Sequence, residues 1–134
     1  MDWKLQVVIL PVSDMDRAKS FYKEKAGFVL DVDHRAGEDF RIIQLTPPGS
    51  ACSVTLMRNA DAAGSVQGLH LIVDDIEAAR AEITGRGAEA SDFFHFGAGG
   101  QEPGLDPQRV RFGSYFSFSD PDGNGWLVQE AASA

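Results

Sequence analysis

The sequence predicts an α+β fold made of two βαβββ modules in tandem. An apolar strand followed by an acidic, helix-opening turn occurs twice, in residues 7–18 and in residues 68–79. Three further strand-like runs follow each copy, so the same order of elements is written twice. Internal repetition constrains a fold more strongly than any single propensity. We therefore predict one domain over residues 1–134, with module one at 4–58, a linker at 59–67 and module two at 68–130.

Both predicted helices begin at turns that can satisfy their unpaired amide groups. In each turn a capping oxygen stands three residues before a carboxylate, an arrangement that binds exposed N–H groups at a helix start. The pairs are Ser13 with Asp16 and Asp74 with Glu77. Gly27 and Gly85 are predicted to end the helices in the left-handed conformation. Each helix carries one apolar stripe, which predicts packing against a sheet.

The remaining strands are predicted from apolar and β-branched runs bounded by turn residues. They cover residues 28–33, 39–46 and 51–57 in module one and residues 92–96, 113–119 and 126–130 in module two. Residues 47–50 and 120–125 are rich in turn-forming residues, which predicts tight hairpin turns. The Gly/Pro-rich stretch 97–111 is predicted to be an irregular insertion and a mobile lid.

Composition argues against several classes of protein. The formal net charge is −8 and the basic residues are scattered, which disfavours nucleic acid as a partner. No apolar run approaches the roughly 20 residues of a membrane helix, and the first residues lack the pattern of a secretory signal. Cys52 is the single cysteine and cannot form an internal disulfide. We expect a cytoplasmic protein that contacts neither membrane nor nucleic acid.

Four features, in this order, resemble the vicinal-oxygen-chelate superfamily of glyoxalases, bleomycin-resistance proteins and extradiol dioxygenases. They are a strand ending in Val12-Ser13-Asp14, a short helix containing Phe21-Tyr22, a second half with Val73-Asp74-Asp75, and a terminal Asp-Pro-Asp-Gly-Asn hairpin at residues 120–124. The resemblance covers nearly the whole chain. It implies that each sheet curls around a cleft and that the protein forms a homodimer.

The resemblance also implies where a metal would be held. Metal-dependent members place His, Gln or Glu side chains at matching strand positions that face the cavity. Here the matching residues are Val7, Gly68, Leu127 and, as the counterpart of Leu127 in the first half, Ser53. A metal site needs converging nitrogen, oxygen or sulfur donors. We therefore expect no metal at the usual place and predict no cofactor.

Strand parity, together with the resemblance, predicts an apolar cavity with a few polar anchors. The candidate ligand-binding residues are Val7, Ile9, Ser53, Thr55, His70, His95, Ser117, Leu127 and Gln129. The resulting hypothesis is a metal-independent small-molecule-binding protein, similar to the bleomycin-resistance branch. It would take an apolar or aromatic compound between the two modules.

Two alternatives stay open. In the first, the chain is a cofactor-free enzyme in which His70, the candidate catalytic residue, or His95 acts as a general base. In the second, it is a divergent metal-dependent lyase, isomerase or dioxygenase with displaced ligands drawn from His70, His95, Gln129 and Glu102. A site made of the three histidines is disfavoured, because His34 is predicted to lie in a polar turn.

Overall fold

A computed structural model describes residues 1–131 of the chain. The α+β class is confirmed, since these residues form two sheets and two short α-helices. The chain divides into two compact units, which comprise residues 1–66 with 120–124, and residues 67–119 with the residues from Gly125 onward. Within residues 1–131, neither helix has the length and apolar character that crossing a membrane requires.

The first unit is built on a four-stranded sheet. Its strands are β1 (Val7–Val12), β2 (Val29–Ala36), β3 (Phe40–Thr46) and β4 (Ser53–Arg58), arranged in the order β1-β4-β3-β2. Strands β1 and β4 run parallel, and the other neighbours run antiparallel. Helix α1 (Met15–Ser20) packs against β4 and continues into a π-helical turn (Phe21–Lys25). The Ala26 N–H closes that turn by donating to the Phe21 carbonyl at 2.9 Å.

The pleat gives this sheet a helix-facing side and an open side. The helix-facing side chains are apolar and buried: Leu10, Val12, Ile43, Leu45, Val54 and Leu56. Residues of the opposite parity form the open face, where Ile9 is 55% exposed. The register is therefore fixed by hydrophobic burial, because a slip of one residue would turn the apolar set to solvent.

The second unit is built on a five-stranded sheet. Its strands are β5 (Leu69–Val73), β6 (Phe94–Gly97), β7 (Gly100–Pro103), β8 (Ser114–Ser119) and β9 (Gly125–Glu130), arranged in the order β5-β9-β8-β6-β7. Helix α2 (Ile76–Gly85) packs against β8 and β9. The core on this side contains Phe116, Phe118, Trp126 and Val128. The rings of Phe118 and Trp126 stack with their centroids 5.9 Å apart.

Both helix starts lie one residue later than the sequence predicted. Asp14, not Ser13, caps α1, and Asp75, not Asp74, caps α2; each accepts from the N–H three residues further on at 3.0 Å. Ser13 instead directs its N–H and its hydroxyl to the carboxylate of Asp122, at 3.0 and 2.5 Å. In both turns two adjacent side chains are able to cap the helix, and in both the second of them is the N-cap residue.

The structure confirms one of three other local predictions, on the helix ends and on His34, and corrects the other two. Gly27 has a φ of 77° and ends the first helical segment as predicted. Gly85 remains helical, and Gly87, with a φ of 96°, supplies the left-handed residue after α2. His34 does not lie in a turn, because β2 extends to Ala36 and pairs His34 with Ile42.

The stretch 97–111 is not the irregular insertion that was predicted. Its first part completes a β6-β7 hairpin, in which Phe96 pairs with Gln101. In its second part Arg109 makes two hydrogen bonds to the Glu130 carboxylate, at 2.9 and 2.7 Å. The Arg109 guanidinium holds the pKa of Glu130 below its usual value. The segment is therefore a hairpin followed by a loop over residues 104–113, which this ion pair attaches to the end of β9 and which we call the clamped loop.

Both predicted hairpin turns are confirmed. Gly49, with a φ of 83°, allows the turn between β3 and β4. In the turn between β8 and β9, Asp120 is only 5% exposed. Its carboxylate accepts five hydrogen bonds, from the Tyr22 hydroxyl, the Asn124 side chain and three N–H groups of the turn. A buried carboxylate with this many donors fixes the turn within the first unit.

Candidate functional site

The open face of the second sheet gathers several of the predicted site residues. The strand register sets out two adjacent rows, Phe94–Tyr115–Gln129–Ile72 and Ser117–Leu127–His70. Residues directly opposite one another in a sheet project to the same side. These side chains, together with Phe96, therefore share one face, which we call the aromatic face. Their strand neighbours Phe116 and Val128 point the other way, into the core.

Three rings dominate the aromatic face. Phe94 and Tyr115 stack with centroids 5.6 Å apart and an interplanar angle of 10°. Phe96 meets Tyr115 edge-on at 5.3 Å and Phe94 at 5.9 Å. Phe94 is 7% exposed, whereas Phe96 is 58% exposed. An exposed ring held against two others presents a preformed flat apolar surface.

A depression of about 320 Å³ lies beside Phe94 at the edge of the aromatic face. Phe94 is the ring of the aromatic face that lines it, whereas Phe96 and Tyr115 do not. Its lining residues are Ser91, Asp92, Phe93, Phe94, Gln101, Glu102, Pro103 and Ser117. This volume lies at the lower end of the range for small-molecule pockets, roughly 300–1,000 Å³. The β6-β7 hairpin, which the sequence did not predict, therefore forms one wall of the concavity.

Gln129 is held by two partners at the centre of the aromatic face. Its Nε2 atom donates to the Phe112 carbonyl at 3.1 Å and to the Tyr115 hydroxyl oxygen at 2.9 Å. Phe112 has a φ of 66°, and its N–H is anchored by donating to the Glu130 carbonyl at 2.8 Å. The clamped loop thus sets the orientation of a polar side chain among the rings.

His70 lies exposed on the same face, beside Leu127. Its Nδ1 is 2.7 Å from the carbonyl oxygen of Gly68. A carbonyl only accepts hydrogen bonds, so Nδ1 carries the hydrogen. In the neutral ring Nε2 then carries a lone pair that can bind a proton, a ligand donor or a metal.

The open face of the first unit holds the other group of predicted residues. Val7 is paired with Ser53, and Ile9 with Thr55, so these four side chains project to one side. Ser53 is 6% exposed and shares a hydrogen bond with Thr46 at 2.6 Å. Thr46 also hydrogen bonds to Asp31. This face offers aliphatic side chains and hydroxyl groups, without an aromatic cluster among its described residues.

His95 does not join the aromatic face, because it alternates with Phe94 and Phe96 along β6. It is 7% exposed, and its Nδ1 is 2.8 Å from the Gly104 carbonyl. Its Nε2 lies 3.2 Å from the Glu102 carboxylate. These contacts link the two strands of the β6-β7 hairpin on the side opposite the rings.

Comparison with known proteins identifies the family. Residues 4–128 match the profile of the Glyoxalase/Bleomycin resistance protein/Dioxygenase superfamily. The chain belongs to this superfamily. The uncharacterized protein YetH of Bacillus subtilis (strain 168) is 28% identical over 127 residues, which are 95% of this chain and 98% of that protein.

Solved structures of similar proteins share the fold. TnmS3, an antibiotic binding protein from Streptomyces sp. CB03234, is 30% identical, with 98% of each chain covered and a TM-score of 0.74. A glyoxalase/bleomycin resistance protein from the same organism is 31% identical, with 95% of this chain and 100% of that chain covered and a TM-score of 0.70.

The metal used by some superfamily members does not fit the residues found here. Ile9 and His70 stand five residues before Asp14 and Asp75, and they pair with Thr55 and Leu127 respectively. Thr55, rather than Ser53, is therefore the counterpart of Leu127. None of the residues at these positions supplies an imidazole or a carboxylate to a metal; they are Val7, Thr55, Gly68 and Leu127. Within residues 1–131, no group of three or more His, Cys, Asp or Glu side chains is placed to hold a metal ion.

The three rings of the aromatic face were not among the predicted site residues. In the run Phe93-Phe94-His95-Phe96 the predicted residue was His95, although strand alternation puts Phe94 and Phe96 together on the opposite side. That alternation was the available signal for the two phenylalanines. Tyr115 carried the same kind of signal, because it stands two residues before the predicted Ser117 in one strand and so shares its face. Its place beside Phe94 depends in addition on the register between β6 and β8.

Proposed function

We propose that this protein binds a small apolar or aromatic molecule on the aromatic face, without a metal. The observation that carries the proposal is the cluster of Phe94, Phe96 and Tyr115, in which Phe96 is 58% exposed and Phe94 lines a concavity. Burying a ring of this size against a ligand contributes about 1.5–3 kcal/mol. His70 and Gln129 supply polar anchors next to the apolar surface.

The relationship to TnmS3 supports this proposal. That protein is an antibiotic binding protein, and it is 30% identical to this chain over nearly the full length of both. Binding alone, without chemical conversion, accounts for a face that combines exposed rings with few reactive groups. Sequestration of a toxic compound is one use of such a protein.

Equilibrium dialysis against a naphthalene derivative, 2-acetylnaphthalene, tests the site. Phe96→Ala removes the exposed ring and is expected to weaken binding about 10- to 100-fold. Phe40→Ala is the matched control, because Phe40 is a 43% exposed phenylalanine of the first unit. Binding that persists in Phe96→Ala, or that falls equally in the control, would place the site elsewhere.

Metal independence is tested on the same protein. It is purified without chelator, its metal content is measured by mass spectrometry, and it is then challenged with zinc, nickel, manganese and ferrous iron. We expect the affinity for the probe to be the same with and without EDTA. A near-stoichiometric bound metal would instead favour a lyase, isomerase or dioxygenase with ligands among His70, His95, Glu102 and Gln129.

A second candidate function rests on the orientation of His70. Its Nδ1 contact with the Gly68 carbonyl leaves Nε2 as a base on the exposed side of the ring. A cofactor-free enzyme acting on a carbonyl compound would use this nitrogen to remove a proton. Turnover that disappears in His70→Ala while the circular dichroism spectrum is kept supports the enzyme, and unchanged turnover argues against it.

We also propose that the protein acts in the cytoplasm as a homodimer. Its one cysteine, Cys52, forms no disulfide, and its net charge of −8 repels nucleic acid. Light scattering coupled to size-exclusion chromatography measures the oligomeric state directly. A molar mass of one chain across the working concentration range would rule out the dimer.

A further inference from the structure

We propose that Tyr115 selects ligands that carry a hydrogen-bond acceptor, because its phenolic hydrogen has no acceptor among residues 1–131. This inference rests on the proposed binding site and narrows the class of ligand. The compound is then a flat aromatic molecule with a carbonyl or similar acceptor at its rim, rather than a pure hydrocarbon.

The first step is the orientation of the Gln129 side chain. The amide atom that lies 3.1 Å from the Phe112 carbonyl must be the nitrogen, because a carbonyl oxygen can only accept. The same nitrogen is 2.9 Å from the Tyr115 hydroxyl oxygen. A primary amide has two N–H groups, and this arrangement uses one for each partner.

The second step follows for the hydroxyl. An amide nitrogen does not accept hydrogen bonds, so the Tyr115 oxygen is the acceptor in its contact with Gln129. The phenolic hydrogen must then point to another atom. In the part of the chain that the structure describes, Gln129 is the single hydrogen-bonding partner of this hydroxyl. The hydrogen is left for water or for a ligand seated on the neighbouring rings.

The clamped loop restrains this orientation. Phe112 is anchored by its N–H bond to the Glu130 carbonyl, and the loop before it is anchored by the Arg109 ion pair. The Phe112 carbonyl shares a peptide plane with the Gly113 N–H, which donates to the Val110 carbonyl at 3.0 Å, so turning the carbonyl away from Gln129 would strain or break that bond. Gln129 and Phe112 act as positioning residues, which fix Tyr115 as a donor toward the open face.

The energetic consequence is selectivity. A ligand without an acceptor displaces water from the phenolic hydrogen and leaves a polar group unpaired. A ligand that accepts from it keeps the bond and gains orientation. The difference between two otherwise identical ligands is expected to be about tenfold in affinity, the scale of one neutral hydrogen bond in a partly buried site.

A pair of probes of the same shape measures this difference. 2-Acetylnaphthalene carries a carbonyl oxygen where 2-isopropenylnaphthalene carries a methylene group, and the two are otherwise alike. Wild-type protein is expected to bind the ketone about tenfold more tightly than the alkene. Tyr115→Phe keeps the stacked ring and removes the donor, so the ketone oxygen is left without a partner and the ratio should fall to one or below, while the alkene affinity stays within about twofold.

Two further variants separate selection from general damage. Tyr22→Phe makes the same change at the chain's other tyrosine, which belongs to the first unit, and should keep the wild-type ratio. Gln129→Glu offers a carboxylate that accepts the Tyr115 hydrogen, so this variant should lose the preference although Tyr115 is present. Loss of the preference in both Tyr115→Phe and Gln129→Glu supports the donor role.

The outcomes distinguish this inference from the proposed function. If both probes bind wild type with equal affinity, or if Tyr115→Phe keeps the preference for the ketone, the role of Tyr115 is wrong and the aromatic site stands. A preference that survives in Gln129→Glu overturns the positioning argument. If neither probe binds wild type, the aromatic site and the selection by Tyr115 are both refuted.

Discussion

The ion pair between Arg109 and Glu130 is expected to stabilise the second unit far more than the ion pair between Arg109 and Glu77. Glu130 is 2% exposed and also accepts from the Ile76 N–H, whereas the Glu77 side chain is 59% exposed. Both carboxylates contact the same guanidinium. Replacing each by glutamine therefore makes one chemical change in two environments.

The expected magnitudes differ because burial removes solvent screening. Breaking a fully buried pair costs about 3–5 kcal/mol. Since the Arg109 side chain is 27% exposed, we expect Glu130→Gln to lower the free energy of unfolding by about 2–3 kcal/mol. Glu77→Gln should cost below about 1 kcal/mol, including its contribution at the start of α2.

Urea unfolding at pH 7 measures both variants. Glu130→Gln should lower the midpoint by about 1 M, and Glu77→Gln should leave it nearly unchanged. Equal midpoints for the two variants would refute the argument from burial. An unchanged slope of the transition is needed for the comparison, because a changed slope indicates a different unfolded state.

The same pair predicts how stability depends on pH. Arg109 lowers the pKa of Glu130 in the folded protein from its usual 4.5, so the ionised carboxylate is favoured by folding. Its stabilising contribution is present above the unfolded pKa and is lost as the pH falls through the folded pKa. The stability gap between wild type and Glu130→Gln should therefore shrink as the pH drops below about 4.5, and a constant gap would contradict the assignment.

Two further substitutions test the packing of the first unit. Tyr22→Phe removes one of the donors to buried Asp120 and should lower the free energy of unfolding by about 2 kcal/mol, the scale of a hydrogen bond to a charged group; an unchanged urea midpoint would contradict this. Gly64→Ala would put its Cβ 2.2 Å from the Asp122 carbonyl oxygen, whereas Gly49→Ala, at nearly the same φ, meets nothing within 4 Å. Both variants carry the same left-handed backbone strain of about 1 kcal/mol. A melting temperature that is lower in Gly64→Ala than in Gly49→Ala therefore measures the steric clash with Asp122, and equal melting temperatures would refute that clash.

The parts of the fold that could be read from the sequence are those that depend on local pattern. The repeated apolar run and acidic turn predicted β1 and β5, and the turn residues predicted the hairpins at residues 47–50 and 120–125. These signals are local because strand alternation, capping and turn geometry involve residues within a few positions of each other. The superfamily followed from their order.

The helix caps show where local pattern stops being sufficient. Ser13 and Asp14 are both good capping residues, and nothing near them in the sequence decides between them. The choice involves Asp122, more than a hundred residues away, whose carboxylate binds the Ser13 N–H and hydroxyl. Asp14 is left to cap α1. A contact at this sequence separation is invisible to any short window.

The candidate site was only partly predictable for a related reason. Strand parity put His70, Leu127 and Gln129 on a common side, and the structure keeps them together. Tyr115 has the parity of the predicted Ser117, but its contact with Phe94 depends on the register between β6 and β8, which β7 separates in the sequence. Its role as a donor depends further on the Phe112 carbonyl, which the clamped loop brings to Gln129.

The two modules use one scaffold for different surfaces, and this contrast favours the second unit as the binding site. The row Ile72–Gln129–Tyr115–Phe94 crosses the second sheet, and the corresponding positions of the first sheet are Pro11, Met57, Ile42 and His34. The repeat fixes where these side chains stand, whereas the residue types decide what the face can bind. The first row offers no stacked ring and no amide among its four side chains. Of these two rows, only the row in the second unit therefore matches an aromatic ligand that carries a hydrogen-bond acceptor.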